Sequence, residues 1–77
     1  MINKGDQDKK DLIYLNEKEI DFLKWCCTEK SYKEIADVMN ITTRAVESLR
    51  SNLFDKLETL SRVGLVMYAI RNGLITV

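Results

Sequence analysis

Residues 30–57, KSYKEIADVMNITTRAVESLRSNLFDKL, decide the fold. Ser31 followed by Glu34 is the S-x-x-E capping pattern, so a helix is predicted to begin near Tyr32. Ile35, Ala36 and Met39 fall on its inward face with Val38 beside them. Asn40 is suited to the left-handed conformation that closes a helix. Ile41 then plugs the turn, and Thr42 is placed to cap a longer helix running from Thr43 to about Leu57. Ala36, a small residue in the middle of the first helix of this pair, lets the second approach closely at a steep angle. At about 100° per residue, Val46, Leu49, Leu53 and Leu57 form one inward stripe on that second helix. Arg44, Ser48, Ser51 and Asp55 lie opposite, with Glu47 on the flank. A solvated helix face usually carries long Lys and Glu side chains, whereas the two serines leave room for another molecule close to the backbone.

The same punctuation extends in both directions. Upstream, Asn16 and Glu19 repeat the capping box, and Ile20, Leu23 and Cys27, with Phe22 and Cys26 alongside, give a buried face. Glu17, Lys18, Asp21 and Lys24 are expected in solvent, and Trp25 at the edge of the core. Downstream, Ser61 caps a fourth helix running through Asn72, and Gly73 stands at its left-handed stop. Leu65, Ala69 and Tyr68 or Ile70 would close the core, followed by the apolar Leu74 and Ile75. Val63 and Met67 recur on the outer side with Arg71, a pattern expected of a helix-to-helix dimer contact. Residues 1–11, MINKGDQDKKD, have no hydrophobic period, and Asp6, Asp8 and Asp11 cancel Lys4, Lys9 and Lys10. Residues 1–14 are therefore expected to be a flexible leader or linker, with Leu12, Ile13 and Leu15 as an apolar anchor, and residues 15–77 the domain.

Composition excludes whole classes of chemistry. The chain has 77 residues, 45% hydrophobic and 31% charged, enough for one domain with a modest core. It has no long apolar run to span a membrane and no secretory n- and h-region, so the cytoplasm is the expected location. There is no histidine, and the three glycines are isolated, which leaves no imidazole base and no phosphate-binding loop. Cys26 and Cys27 are adjacent, point about 100° apart on a helix, and cannot form an ordinary disulfide; they are expected to be buried thiols. No enzyme, cofactor or metal site is expected. Twelve basic and twelve acidic residues leave the net charge at zero, so a nucleic-acid partner depends on where those charges sit.

Four short helices with a three-residue turn between the second and third describe an all-α, four-helix bundle containing a helix-turn-helix, a unit whose second helix enters a DNA major groove. The segments LNEKEIDFLKWCC, SYKEIADVMNITTRAVESLRSNLFDKL and SRVGLVMYAIRNGLI, from Leu15 to Ile75, resemble the LuxR/FixJ/NarL-type DNA-binding domain. That family is usually written LTxRExEVL, then SNKEIAxxLxISxxTVxxHxxxIxxKL, then SRxxLVxYAxxxGLI. The resemblance is greatest to the C-terminal effector (output) domains of bacterial two-component response regulators, in which a receiver domain is joined to this module.

The resemblance implies a sequence-specific transcriptional regulator that binds double-stranded DNA as a homodimer through its last helix. Carried over position by position, Arg44, Glu47, Ser48 and Ser51 face bases. Ser31, Tyr32, Lys33, Thr43, Arg50 and Lys56 face phosphates, and Val63, Val66, Met67 and Ile70 stand in the dimer contact. Glu19 and Arg62, both at charged positions of the motif, are expected to form an internal ion pair. The chain also departs from the family pattern. Glu47 weakens phosphate attraction unless it accepts from a cytosine amino group, and Leu49 replaces a common histidine. Glu29 stands where a glycine usually ends the first helix, and Thr43-Arg44-Ala45 replaces the usual x-x-T. With zero net charge, these changes suggest that a lone domain binds weakly and depends on dimerisation. The alternatives are a small free-standing LuxR-type regulator, or a protein-interaction module that has kept the fold and lost DNA.

Overall fold

The computed structural model describes residues 14–75, so the expected leader up to residue 13, including Leu12 and Ile13, lies outside the described residues. Four helices follow one another: α1 (Glu17–Cys26), α2 (Tyr32–Met39), α3 (Thr43–Leu57) and α4 (Arg62–Arg71). Each begins where a short polar side chain takes a first-turn amide that the helix itself leaves unpaired. Asn16 accepts from Glu19 N, Ser31 from Glu34 N, Thr42 from Ala45 N and Ser61 from Gly64 N. At Asn16 and Ser31 the glutamate three residues on reaches back to the cap amide, closing both predicted capping boxes.

Three of the helices end alike, with a residue in the left-handed region and an amide reaching back five residues. Asn40 (φ 59°) closes α2, with Ile41 N donating to Ala36 O at 2.9 Å. Gly73 (φ 70°) closes α4, with Leu74 N donating to Ala69 O at 2.8 Å. Glu58 (φ 54°) closes α3, with Thr59 N donating to Phe54 O at 3.0 Å. The first two are residues suited to that conformation, whereas Glu58 carries a Cβ there and was not marked by any local signal.

α1 packs chiefly against α4, and α2 against α3, with α1 also touching α2 and α3. The core consists of Phe22, Leu23 and Cys26 of α1, Ile35 and Ala36 of α2, Val46, Leu49 and Leu53 of α3, and Leu65 and Ala69 of α4. Burying a large apolar side chain contributes roughly 1.5–3 kcal/mol each, so these few residues are a large share of what stabilises so small a domain. Gly64 permits a close approach between α4 and the preceding loop. A Cβ at that position would lie 1.8 Å from Thr59 Oγ1.

Some inward assignments shift. On α1 the buried stripe is Glu19, Phe22, Leu23 and Cys26, while Ile20 and Cys27 are half-buried. A stripe chosen from apolar residues alone drifts off its true centre when one of its members is an acid. On α2, Val38 is exposed and Met39 half-buried. α4 stops at Arg71, with Asn72 as its cap rather than its last residue. Ile70 is exposed, and Tyr68 takes the core-side position.

Candidate nucleic-acid interface

α3 turns its core stripe of Val46, Leu49 and Leu53 into the bundle and presents Arg44, Glu47, Ser48 and Ser51 to solvent, all four exposed. From the middle of the buried stripe, Arg44 and Ser51 lie nearly half a turn round the helix at about 100° per residue. The four residues proposed to face bases therefore share one open surface. Thr43, at the start of the same helix, is also exposed, as are Ser31 and Lys33 at the start of α2. The first turns of α2 and α3 thus open on exposed polar residues, with first-turn amides beyond the capped one still unpaired within the helix.

Ser31 is already engaged as a cap: its hydroxyl oxygen accepts from Glu34 N at 3.2 Å and its own amide donates to Glu34 Oε1 at 2.8 Å. That backbone donor holds the Glu34 carboxyl below its ordinary pKa, with a smaller contribution from Lys30.

Arg50 lies on the flank of α3 that faces α2. Its guanidinium carbon stands 5.2 Å from the centroid of Tyr32 and 5.8 Å from that of Phe54. Tyr32 is half-buried, stacks on Phe22 at 6.2 Å between centroids, and also receives Arg62 at 5.0 Å. The aromatic ring thus holds the Arg50 stem between α2 and α3, a cation–π arrangement that restricts its rotamers. Tyr32, on α2, serves as a platform for side chains of the other three helices.

Lys56 is directed elsewhere. It leaves α3 on the side of Leu49 and Leu53, at i+7 and i+3 from them, and its Nζ lies 2.9 Å from both oxygens of the buried Glu19 carboxylate. A further bond of 3.2 Å goes to Tyr14 O. The ammonium expected at a phosphate is instead held by the first helix.

The expected Glu19–Arg62 pair does not form. Arg62 Nε donates to Cys26 O at 3.1 Å, and its Nη2 donates to Thr28 O at 3.0 Å and Lys30 O at 2.7 Å. The cause is the corner after α1. Glu29 occupies the family's glycine position, no residue of the corner adopts the left-handed conformation, and its carbonyls are satisfied by a guanidinium from α4. A cation at the end of α1 also opposes the partial negative charge of the helix terminus. Glu19 was recognisable as a cap residue. That it is also buried was readable from its place one turn before Phe22 and Leu23 and two turns before Cys26.

Val63, Met67 and Ile70 are exposed on α4, at 68%, 44% and 38% respectively, and Val66 is half-buried. Leu60, just before the helix, is 93% exposed and extends the same 3-4-3 spacing, a neighbour that the sequence reading omitted. Cys26 is buried and Cys27 half-buried, both as free thiols. Burial pushes the Cys26 thiol up to about 12, against a smaller opposing effect of Arg62. Among the described residues no cluster of three or more His, Cys, Asp or Glu could hold a metal, and no helix is long and apolar enough to cross a membrane.

Two capped helices meeting across a left-handed asparagine, the second with a polar face directed away from the core, constitute a helix-turn-helix. Residues 14–69 match the family model of bacterial regulatory proteins, luxR family (GerE). Over 62 residues the chain is 36% identical to the transcriptional regulatory protein MctR of Rhizobium johnstonii, covering 80% of this chain and 29% of that protein. It is 34% identical over 74 residues to the uncharacterized transcriptional regulatory protein YhcZ of Bacillus subtilis, covering 96% of this chain and 35% of that protein. It is 50% identical over 44 residues to the probable transcriptional regulator ycf29 of Cyanophora paradoxa, covering 57% and 21%. The chain thus spans about a third or less of the curated relatives it matches. No solved structure gives a significant match. The chain belongs to the luxR family of bacterial regulatory proteins, as a DNA-binding domain of a transcriptional regulator.

Proposed function

We propose that the domain binds duplex DNA with α3 in the major groove, as a homodimer paired through α4, and that it is the output module of a response regulator acting in the cytoplasm. The observation that carries the reading is the exposed face of α3. Arg44, Glu47, Ser48 and Ser51 stand together in solvent opposite a closed core, as groove-reading side chains must. Lys33, Thr43 and Arg50, with the cap Ser31 and the first helical residue Tyr32, flank that face and serve phosphates, which fix register without carrying sequence information. Lys56 braces α3 from behind through Glu19. The exposed apolar residues Val63, Met67 and Ile70, with Val66 beneath, support pairing of α4 with a second copy. The receiver partnership is supported by regulators of greater length among the relatives.

The deciding experiment is selection of bound duplexes from a random pool at low salt, followed by a salt titration on the winner. The expected result is a repeated or two-fold half-site with a steep negative salt slope. Failure to retain any duplex at any salt would make the fold a protein-interaction scaffold.

A further inference from the structure

We infer that Glu47 selects a cytosine in the half-site and excludes guanine and thymine there, an inference that rests on α3 occupying the major groove. Glu47 is exposed on the reading face, one turn from Arg44. Among the described residues the one ion pair is Glu19–Lys56, so Glu47 forms no ion pair with another described residue. A carboxylate accepts hydrogen bonds and, when ionised, donates none. In the groove guanine offers two acceptors and thymine an acceptor beside a methyl group, and both repel it. Adenine offers a donor with an acceptor next to it. Cytosine alone presents an amino donor with no acceptor at its side.

Phosphates also repel the group, and the chain has no net positive charge with which to offset it. Position 47 therefore works largely by rejection: three of the four bases set an acceptor against the carboxylate, adenine least so. The expected order is cytosine, then adenine, then guanine and thymine. Arg44 has the opposite requirement, five donors and no acceptor, which suits guanine O6 and N7. Three residues rise about 4.5 Å along a helix, against about 3.4 Å per base step, so the guanine and the cytosine should lie within one or two steps of each other.

The test is a titration of the 77-residue chain on its selected duplex and on the three single-base variants of the cytosine position, for wild type, Glu47→Ala and Glu47→Gln. Because the side chain is exposed, both variants should keep the native helical spectrum, which circular dichroism checks. Wild type should bind the guanine and thymine duplexes about tenfold more weakly than the cytosine one. Glu47→Ala should bind all four within about twofold, and Glu47→Gln, whose carboxamide matches adenine N6 and N7, should move the preference to adenine. A cytosine preference that persists in Glu47→Ala would overturn the inference and leave groove binding standing. So would loss of the guanine preference instead, which would make Glu47 a positioning group for Arg44. Failure of the wild type to retain DNA would overturn both readings.

Discussion

Lys56 Nζ lies 2.9 Å from each carboxylate oxygen of Glu19, joining the C-terminal turn of α3 to the first turn of α1 across 37 residues of chain. Glu19 is 4% exposed and also accepts from Asn16 N, while the Lys56 side chain keeps 37% of its exposure. The lysine end is partly solvated, so the pair is weaker than a fully buried one.

Removing one partner leaves the buried carboxylate with only the Asn16 amide. Lys56→Met is expected to lower stability by about 2 kcal/mol, less than the roughly 3–5 kcal/mol typical of breaking a fully buried pair. Adding Glu19→Gln to it should recover part of that loss. Urea denaturation of the two single variants and the double variant completes the cycle, and strict additivity would show that the two groups are not coupled.

Arg62 satisfies three carbonyls of the α1–α2 corner with one planar group, a task that a lysine cannot reproduce. Arg62→Lys and Arg62→Ala should both lose about 2–3 kcal/mol, since two of the three orphaned carbonyls, those of Cys26 and Lys30, are partly buried. Hydrogen exchange should accelerate selectively between Thr28 and Tyr32. A lysine variant as stable as wild type would contradict the fork geometry.

At Glu58 the left-handed backbone penalises any residue with a Cβ, and glycine relieves it. Glu58→Gly should raise stability by about 0.5–1 kcal/mol, and Gly73→Ala, at the matching closure of α4, should lower it by a similar amount. Thermal melts of both variants check the opposite signs.

Cys26 titrates at about 12 in the folded domain, against an ordinary 9.0. Above pH 9 the unfolded chain releases this proton and the folded one retains it, so the unfolded state binds fewer protons. Stability from this source is complete below pH 9 and falls as pH rises from 9 towards 12, with a slope approaching ~1.4 kcal/mol per pH unit. Cys26→Ala should be less stable at neutral pH, from the cavity it leaves, but should show a shallower alkaline decline in denaturation midpoints. At pH 7.5 a thiol reagent should modify the half-buried Cys27 before Cys26, and both at once in denaturant.

On DNA, the three basic side chains should separate. Arg44→Ala should relax base preference at one position by about 1–3 kcal/mol, and Lys33→Ala should weaken all sequences alike and reduce the salt slope by about one. Lys56→Met should leave that slope unchanged, because its ammonium is held by Glu19. Equal losses for Arg44→Ala on specific and random duplexes would remove its base-reading role.

The starts of all four helices, and two of the three left-handed closures, were legible from the sequence. Capping by Asn16, Ser31, Thr42 and Ser61, and the stops at Asn40 and Gly73, depend on residues within one turn of each other. The exposed polar face of α3 followed equally from period alone. What the sequence did not reveal was which charges meet. Glu19 was assigned to Arg62 and Lys56 to a phosphate, whereas the fold pairs Glu19 with Lys56 and sends Arg62 to carbonyls 32 to 36 residues away. Local geometry determines where a helix begins, how it ends and which face is apolar. The partners of a long side chain depend on how the helices are packed, because only packing brings positions distant in sequence within hydrogen-bond reach.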